Sequence, residues 1–202
     1  MSPNLHIAVA AASPAKATMA HAMTLFDLQF FAWLNAGPQT PHWHIALAAF
    51  VSGWLPALLV LLLACVAARR PAWRQALWAA LLSLVLVWLA VRVFRVWLPM
   101  PRPGSLDLGI QWLAQGDRPG FPSLHAAGAF AVAVSVLRRC GARWGAFYVG
   151  CATLIALSRV YLGMHFPTDI VVGALFGALA AWLVERGFVL LGRAHGLRRA
   201  AA

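Results

Sequence analysis

Gln75 to Trp97 reads QALWAALLSLVLVWLAVRVFRVW. A helix needs about 20 mostly apolar residues to cross the hydrocarbon of a bilayer. This run carries no charge until Arg92 and Arg95, near its end. Its reading as a membrane span decides the fold, and the rest of the chain repeats the plan. Residues 44–68 form an apolar run that stops at Arg69-Arg70-Pro71. Further runs cover 123–137, stopping at Arg138-Arg139, then 144–162, and 168–191, closing on Arg193, Arg198 and Arg199. The whole chain agrees: of 202 residues 62% are hydrophobic and 10% charged, with a mean hydropathy of +0.78. A soluble domain carries about 25% charged residues.

The expected fold is therefore all-α, an integral membrane helical bundle of five to six transmembrane helices. The sixth depends on residues 22–36, where Leu25, Phe26, Phe30, Phe31, Trp33 and Leu34 are mixed with Asp27, Gln29 and Asn35. That segment reads as an interfacial helix, with a short first span as the alternative. Gly37-Pro38 ends it. Residues 1–20 are rich in Ala, Pro and Ser and are expected to be poorly ordered; Ile7 to Ala12 lacks the preceding positive charge of a signal peptide. No internal repeat or linker divides the chain, so 1–202 reads as one membrane-embedded domain.

A net charge of +11 could suggest nucleic acid. The arginines, however, are scattered between apolar segments, and no nucleic-acid partner is expected; the partner is the bilayer. With the loops at 69–74 and 138–143 and the C-terminus in the cytoplasm, most arginines lie inside. Residues 95–122, with Asp107 and Asp117, and residues 163–167 then face the other side. Trp73, Trp97, Trp112 and Trp144 fall near predicted span ends, as an aromatic belt would place them. Cys65, Cys140 and Cys151 have neither metal nor redox spacing and read as small packing residues. His6, His21, His42, His44 and His195 read as terminal or interfacial. Gly173 and Gly177 have the spacing of close helix packing, more naturally within one chain than between copies.

Charged groups that the topology does not explain gather on the outer face. Arg95 and Arg102-Pro103 follow the run at 75–97. Pro122-Ser123-Leu124-His125 opens the next one. The stretch Ser158-Arg159-Val160-Tyr161-Leu162-Gly163-Met164-His165-Phe166-Pro167-Thr168-Asp169 joins the last two. Pro167 can start a helix, which places Asp169 in a first turn where the dipole favours a carboxylate. His165 can donate one ring N–H to it and keep the other nitrogen basic, the orienter-and-base logic of a triad with histidine attacking. The plain alternative is a capping aspartate beside an interfacial histidine.

An arginine in a span costs about 2.5–3.5 kcal/mol at the centre and less near the end. Arg95, Arg102 and Arg159 repel one another unless an anion lies between them, and planar guanidinium groups suit phosphate. Ser123 is a good N-cap, and the free N–H groups of the turn after it suit phosphate as well. Headgroup snorkelling accounts for each arginine alone, but less readily for three of them with two histidines on one face.

These residues resemble the signature of the type 2 phosphatidic acid phosphatase superfamily of membrane phosphatases: K-x6-R-P, then P-S-G-H, then S-R-x5-H-x3-D. The first reads Arg95-x6-Arg102-Pro103, with arginine for lysine. The second reads Pro122-Ser123-Leu124-His125, with leucine for glycine. The third, Ser158-Arg159-x5-His165-x3-Asp169, matches in full. The resemblance implies that His165 attacks phosphorus, Asp169 orients it and His125 protonates the leaving group. It implies that Arg95, Arg102, Arg159, Ser123 and Leu124, the last through its backbone N–H, hold the phosphate. It implies no metal and no cofactor. Chain size, the N-terminal helix and the loop Gly109-Ile110-Gln111-Trp112-Leu113-Ala114 are similar to bacterial undecaprenyl diphosphate phosphatases. That likeness implies a multi-pass protein of the bacterial inner membrane with its site facing the periplasm. Two alternatives remain: a phosphotransferase passing the phosphoryl group to a lipid or sugar acceptor, and a lipid-binding or transport protein that has kept the fold.

Overall fold

The structure is a computed structural model that describes residues 25–114 and 118–200, with no account of the side chains of 193–200. The expectations for residues 1–20, for His21 and residues 22–24 of the N-terminal segment, for Asp117 and for the side chains of Arg193, His195, Arg198 and Arg199 lie outside what is described. Seven α-helices and no strands are present among the described residues: α1 (Leu25–Leu34), α2 (His42–Gly53), α3 (Leu55–Arg69), α4 (Arg74–Trp97), α5 (Leu124–Cys140), α6 (Ala142–Tyr161) and α7 (Pro167–Ala200). Single 3₁₀ turns at Pro71–Trp73 and Pro103–Leu106 flank α4.

Among the described residues two helical stretches, Pro71–Trp97 and Pro167–Gly192, are long and apolar enough to cross a membrane. A third is reached if α2 and α3 count together, though they are bent by 46°. The run at 44–68 is thus two helices. The bend falls at Gly53-Trp54, where Pro56 near the start of α3 cannot donate its backbone nitrogen to the turn before it. The described part of the N-terminal segment, α1, has 10 residues. At about 1.5 Å per residue it spans about half the hydrocarbon thickness.

Helix α5 is the centre of the bundle, packed by α4, α6 and α7. Its inward positions are Ala126, Ala127, Ala131 and Ala133, all fully buried. Lipid tails are as apolar as leucine, so helices in a bilayer associate through close packing, which small residues permit. Gly173 and Gly177 of α7 lie against the α5 backbone. A Cβ on Gly173 would stand 2.6 Å from Ser123 O. One on Gly177 would overlap Ala127 O and stand 2.8 Å from Ala131 N. The glycine spacing thus serves contact within one chain. This packing brings the starts of α5 and α7 together, where Ser123 N–H donates to Asp169 O at 2.9 Å.

At the opposite end Arg139 donates to Glu185 at 2.6 Å and to Gln75, linking α5, α7 and α4. Tyr148 on α6 donates its hydroxyl to Leu59 O on α3 at 3.0 Å. The tryptophans divide by role. Trp97 is 82% exposed, as a belt residue would be, whereas Trp73 is 8% exposed and packs edge-on against Trp144. Trp112 donates its indole N–H to Ala36 O at 2.9 Å and so ties a loop down. Cys140 and Cys151 pack against the core, but Cys65 faces outward on α3.

Gly177→Ala should lower the unfolding midpoint in detergent by roughly 2–10 °C, from an overpacking cost of about 1–3 kcal/mol. Gly187→Ala gains the same helix propensity but meets nothing within 4 Å. It should leave the midpoint unchanged or slightly raised, and differential scanning fluorimetry of the two variants checks the contrast.

Candidate functional site

The end of α6 and the start of α7 make the loop that carries His165. Leu162 and Gly163 close α6, and Gly163 has φ +73°, a left-handed conformation that glycine adopts without strain. A Cβ there would also run into the backbone carbonyl of Ile110. Pro167 opens α7 and leaves Asp169 in its first turn. Oδ2 of Asp169 accepts the Phe166 N–H at 2.9 Å and His165 Nδ1–H at 3.0 Å. With Asp169 ionised, a group that only accepts, this contact assigns the ring proton to Nδ1 and leaves the Nε2 lone pair free. The capping role and the orienting role are filled by the same oxygen.

Arg102 faces that bare nitrogen, with Nη1 at 3.4 Å from His165 Nε2. Its guanidinium is gripped by backbone carbonyls, Nε by Arg118 O at 2.8 Å and Nη1 by Met164 O at 3.1 Å. Burial, then the neighbouring charge of Arg95, bring Arg102 down to about 10; it remains a cation at neutral pH. Burial first, then the charges of Arg102 and Arg159, hold the His165 imidazole well below its ordinary 6.5. That direction favours the neutral ring, the form that keeps a lone pair available.

The other residues singled out in the sequence converge here. Arg95 donates Nη2 to Pro122 O at 2.9 Å, at the end of the α4–α5 loop. Arg159 is buried near the end of α6 and donates Nη1 to Ser52 Oγ at 2.6 Å. His125 is exposed in the first turn of α5, within the fields of Arg159, Arg102, Arg95 and His165. Ser123 occupies the N-cap position, but its hydroxyl makes no capping bond, contrary to expectation. Ser123 Oγ and Arg95 Nε are buried without a hydrogen-bond partner among the described residues. Leu124 lines an apolar cavity of about 190 Å³ with Pro56, Leu59, Val60, Leu84 and His125. Its side chain has room there, which accommodates the departure from glycine. No group of three or more His, Cys, Asp or Glu residues stands close enough together to hold a metal among the described residues.

Residues 76–191 match the PAP2 superfamily, more than half of the sequence. The chain belongs to the PAP2 superfamily. It is 32% identical over 160 residues, 76% of its own length and 78% of the relative's, to YbjG of Escherichia coli (strain K12), provisionally named an undecaprenyl-diphosphatase. It is 42% identical over 65 residues to the lipid A 4'-phosphatase of Bacteroides thetaiotaomicron, 32% of this chain and 29% of that protein. Among solved structures it is similar to Aquifex aeolicus LpxE, with a TM-score of 0.65 and 25% identity over 81% of this chain and 99% of that one. This PAP2 protein is thus a membrane protein of a family whose matched relatives are named as lipid phosphatases.

Ser52 and Gly120 went unremarked in the sequence. Ser52 sits before the Gly53 bend, fully buried, and holds Arg159; a lone hydroxyl beside glycine inside an apolar run was its only signal. Gly120 packs on the site so closely that a Cβ would stand 2.8 Å from Arg102 Cγ and 3.5 Å from Asp169 Oδ2. Ser52→Ala should weaken binding of orthovanadate, a phosphate mimic, by about tenfold, the worth of one hydrogen bond to a charged group. Ser52→Thr should retain most of the affinity. Vanadate inhibition curves of purified variants check both.

Proposed function

We propose that this protein hydrolyses the phosphate or diphosphate ester of a membrane lipid, undecaprenyl diphosphate foremost, through a phosphohistidine on His165. The observation that carries the reading is a buried His165 whose Nδ1 lies 3.0 Å from Asp169 Oδ2 and whose Nε2 lies 3.4 Å from the Arg102 guanidinium. A buried polar group without a partner costs about 1–3 kcal/mol. A phosphate between Arg95, Arg102 and Arg159 would supply acceptors for Arg95 Nε and Ser123 Oγ. It would also meet the N–H groups of the α5 first turn, those of Leu124 and His125 among them.

In the first step the Nε2 lone pair forms a bond to phosphorus as the bond to the leaving oxygen breaks. His125 gives that oxygen a proton, and Asp169 stabilises the charge left on the His165 ring. In the second step water attacks the phosphohistidine, His125 takes its proton, and the P–N bond breaks to release phosphate and restore Nε2. His125 also lines the apolar cavity. The leaving group it protonates therefore departs beside apolar surface, which favours a lipid over a soluble alcohol and supports YbjG as the guide to substrate. No metal takes part in either step.

Purified protein should release phosphate faster from undecaprenyl diphosphate than from phosphatidic acid, phosphatidylglycerol phosphate or lipid A. A chelator should leave the rate unchanged. His165→Ala should abolish turnover, and His125→Ala should slow it roughly 10²–10⁴-fold. Fastest release from lipid A, dependence on an acceptor alcohol or loss of activity on chelation would each contradict the reading.

The site-bearing end is proposed to face the periplasm of a bacterial inner membrane, because Arg69, Arg70, Arg138 and Arg139 lie at the other end of the helices that carry it. In a cysteine-free background, cysteine at exposed Ala114 should react with a membrane-impermeant maleimide on whole cells. Cysteine at exposed Ala142 should react only after the membrane is opened. The reverse pattern would put the site in the cytoplasm.

A further inference from the structure

Helix α1 carries a buried acid that neither step above uses. Asp27 is 3% exposed. Its Oδ1 accepts the Thr168 backbone N–H at 2.9 Å, and its Oδ2 accepts the Thr168 hydroxyl at 2.9 Å. Thr168 is the second residue of α7, next to Asp169. The residue before α7 is Phe166, whose side chain cannot cap a helix. Asp27 therefore supplies from another helix the acceptor for the Thr168 N–H that Phe166 cannot offer, while Asp169 takes the Phe166 N–H. A buried carboxylate is costly unless paired or hydrogen-bonded, and here its negative charge also meets the positive end of the α7 dipole.

The same helix and the two residues that follow it grip the His165 loop at two further points. The Phe31 ring packs on Phe166, centroids 5.4 Å apart, both nearly free of solvent. Asn35 donates its amide to Tyr161 O at 3.1 Å and to Ile110 O at 3.0 Å, and the Ala36 N–H donates to Tyr161 O at 2.9 Å. Residues 161, 166 and 168 are thus held from one side, and His165 lies between them. The opposite face of α1, with Leu25, Phe26 and Trp33, is exposed.

We propose that α1 is a clamp on the nucleophile loop and that Asp27 is a positioning residue, setting the angle between the His165 ring and the phosphate through Thr168 and Asp169. The proposal rests on His165 being the nucleophile. Misplacing a reacting group by about 1 Å can cost on the order of 10²-fold in rate without loss of substrate binding.

The test measures kcat and KM for lipid phosphate release, the rate of phosphoenzyme formation, vanadate affinity and the unfolding midpoint. Asp27→Ala should lower kcat and phosphoenzyme formation roughly tenfold to 10²-fold, with KM and vanadate affinity within about twofold of wild type. Asp27→Asn, which keeps an acceptor for the Thr168 N–H, should recover part of the loss. Thr168→Val should also lower kcat, and Thr168→Ser should restore it. Trp33→Ala, on the exposed face, should behave as wild type. If Asp27→Ala does not fold, the Thr168 pair decides the question. Two results overturn the clamp alone: a kcat within twofold of wild type in Asp27→Ala or Thr168→Val, or a parallel loss of kcat, vanadate affinity and midpoint. An inactive wild type, or an active His165→Ala, overturns the hydrolase reading and the clamp with it.

Discussion

One carboxylate oxygen, Oδ2 of Asp169, accepts both the Phe166 N–H and the Nδ1–H of His165. The first bond starts a helix and the second orients the His165 ring. Because one atom does both, the geometry of His165 is tied to the geometry of the α7 N-terminus. Whatever sets the start of α7 also sets the direction of Nε2. The arginines matter only in relation to that nitrogen, and Arg102 meets it at 3.4 Å.

Small residues decide where α7 starts. Gly173 and Gly177 let it lie on the backbone of α5, whose inward side is mostly alanine. That contact brings Ser123 N–H onto Asp169 O and so sets the α5 first turn, with His125, beside His165. In a bilayer, where apolar surface gains little by leaving lipid, such packing carries much of the assembly. The polar site is thus assembled by residues without any polar side chain. The cationic cluster, repulsive in itself, is restrained by carbonyls: Pro122 O holds Arg95, and Arg118 O and Met164 O hold Arg102.

The fold class was legible because hydropathy reports directly on the solvent a helix faces. The motif residues were legible because a charge inside an apolar chain is expensive and therefore stands out. What escaped was set by tertiary contact. The bend between α2 and α3 hides in a continuous apolar run, and with it the meeting of Ser52 and Arg159. Asp27 looked like mere polarity in a short helix, because its partner Thr168 lies 141 residues away. Ser123 had the sequence of a capping serine, yet its hydroxyl makes no capping bond; propensity identifies the position, not the direction of the side chain. Gly120 belongs to the site because Arg102 leaves no space for a Cβ, a fact about the neighbour and not about the glycine.

The central claim is that phosphorus becomes bonded to Nε2 of His165. It is tested most directly by stopping the reaction in alkali, where phosphohistidine survives, and locating the phosphoryl group by mass spectrometry and ³¹P NMR. The account predicts one phosphoryl group on His165, on Nε2 and not Nδ1, formed and lost at rates compatible with turnover. Phosphate on Ser123, Asp169 or His125, or on Nδ1 of His165, would contradict it.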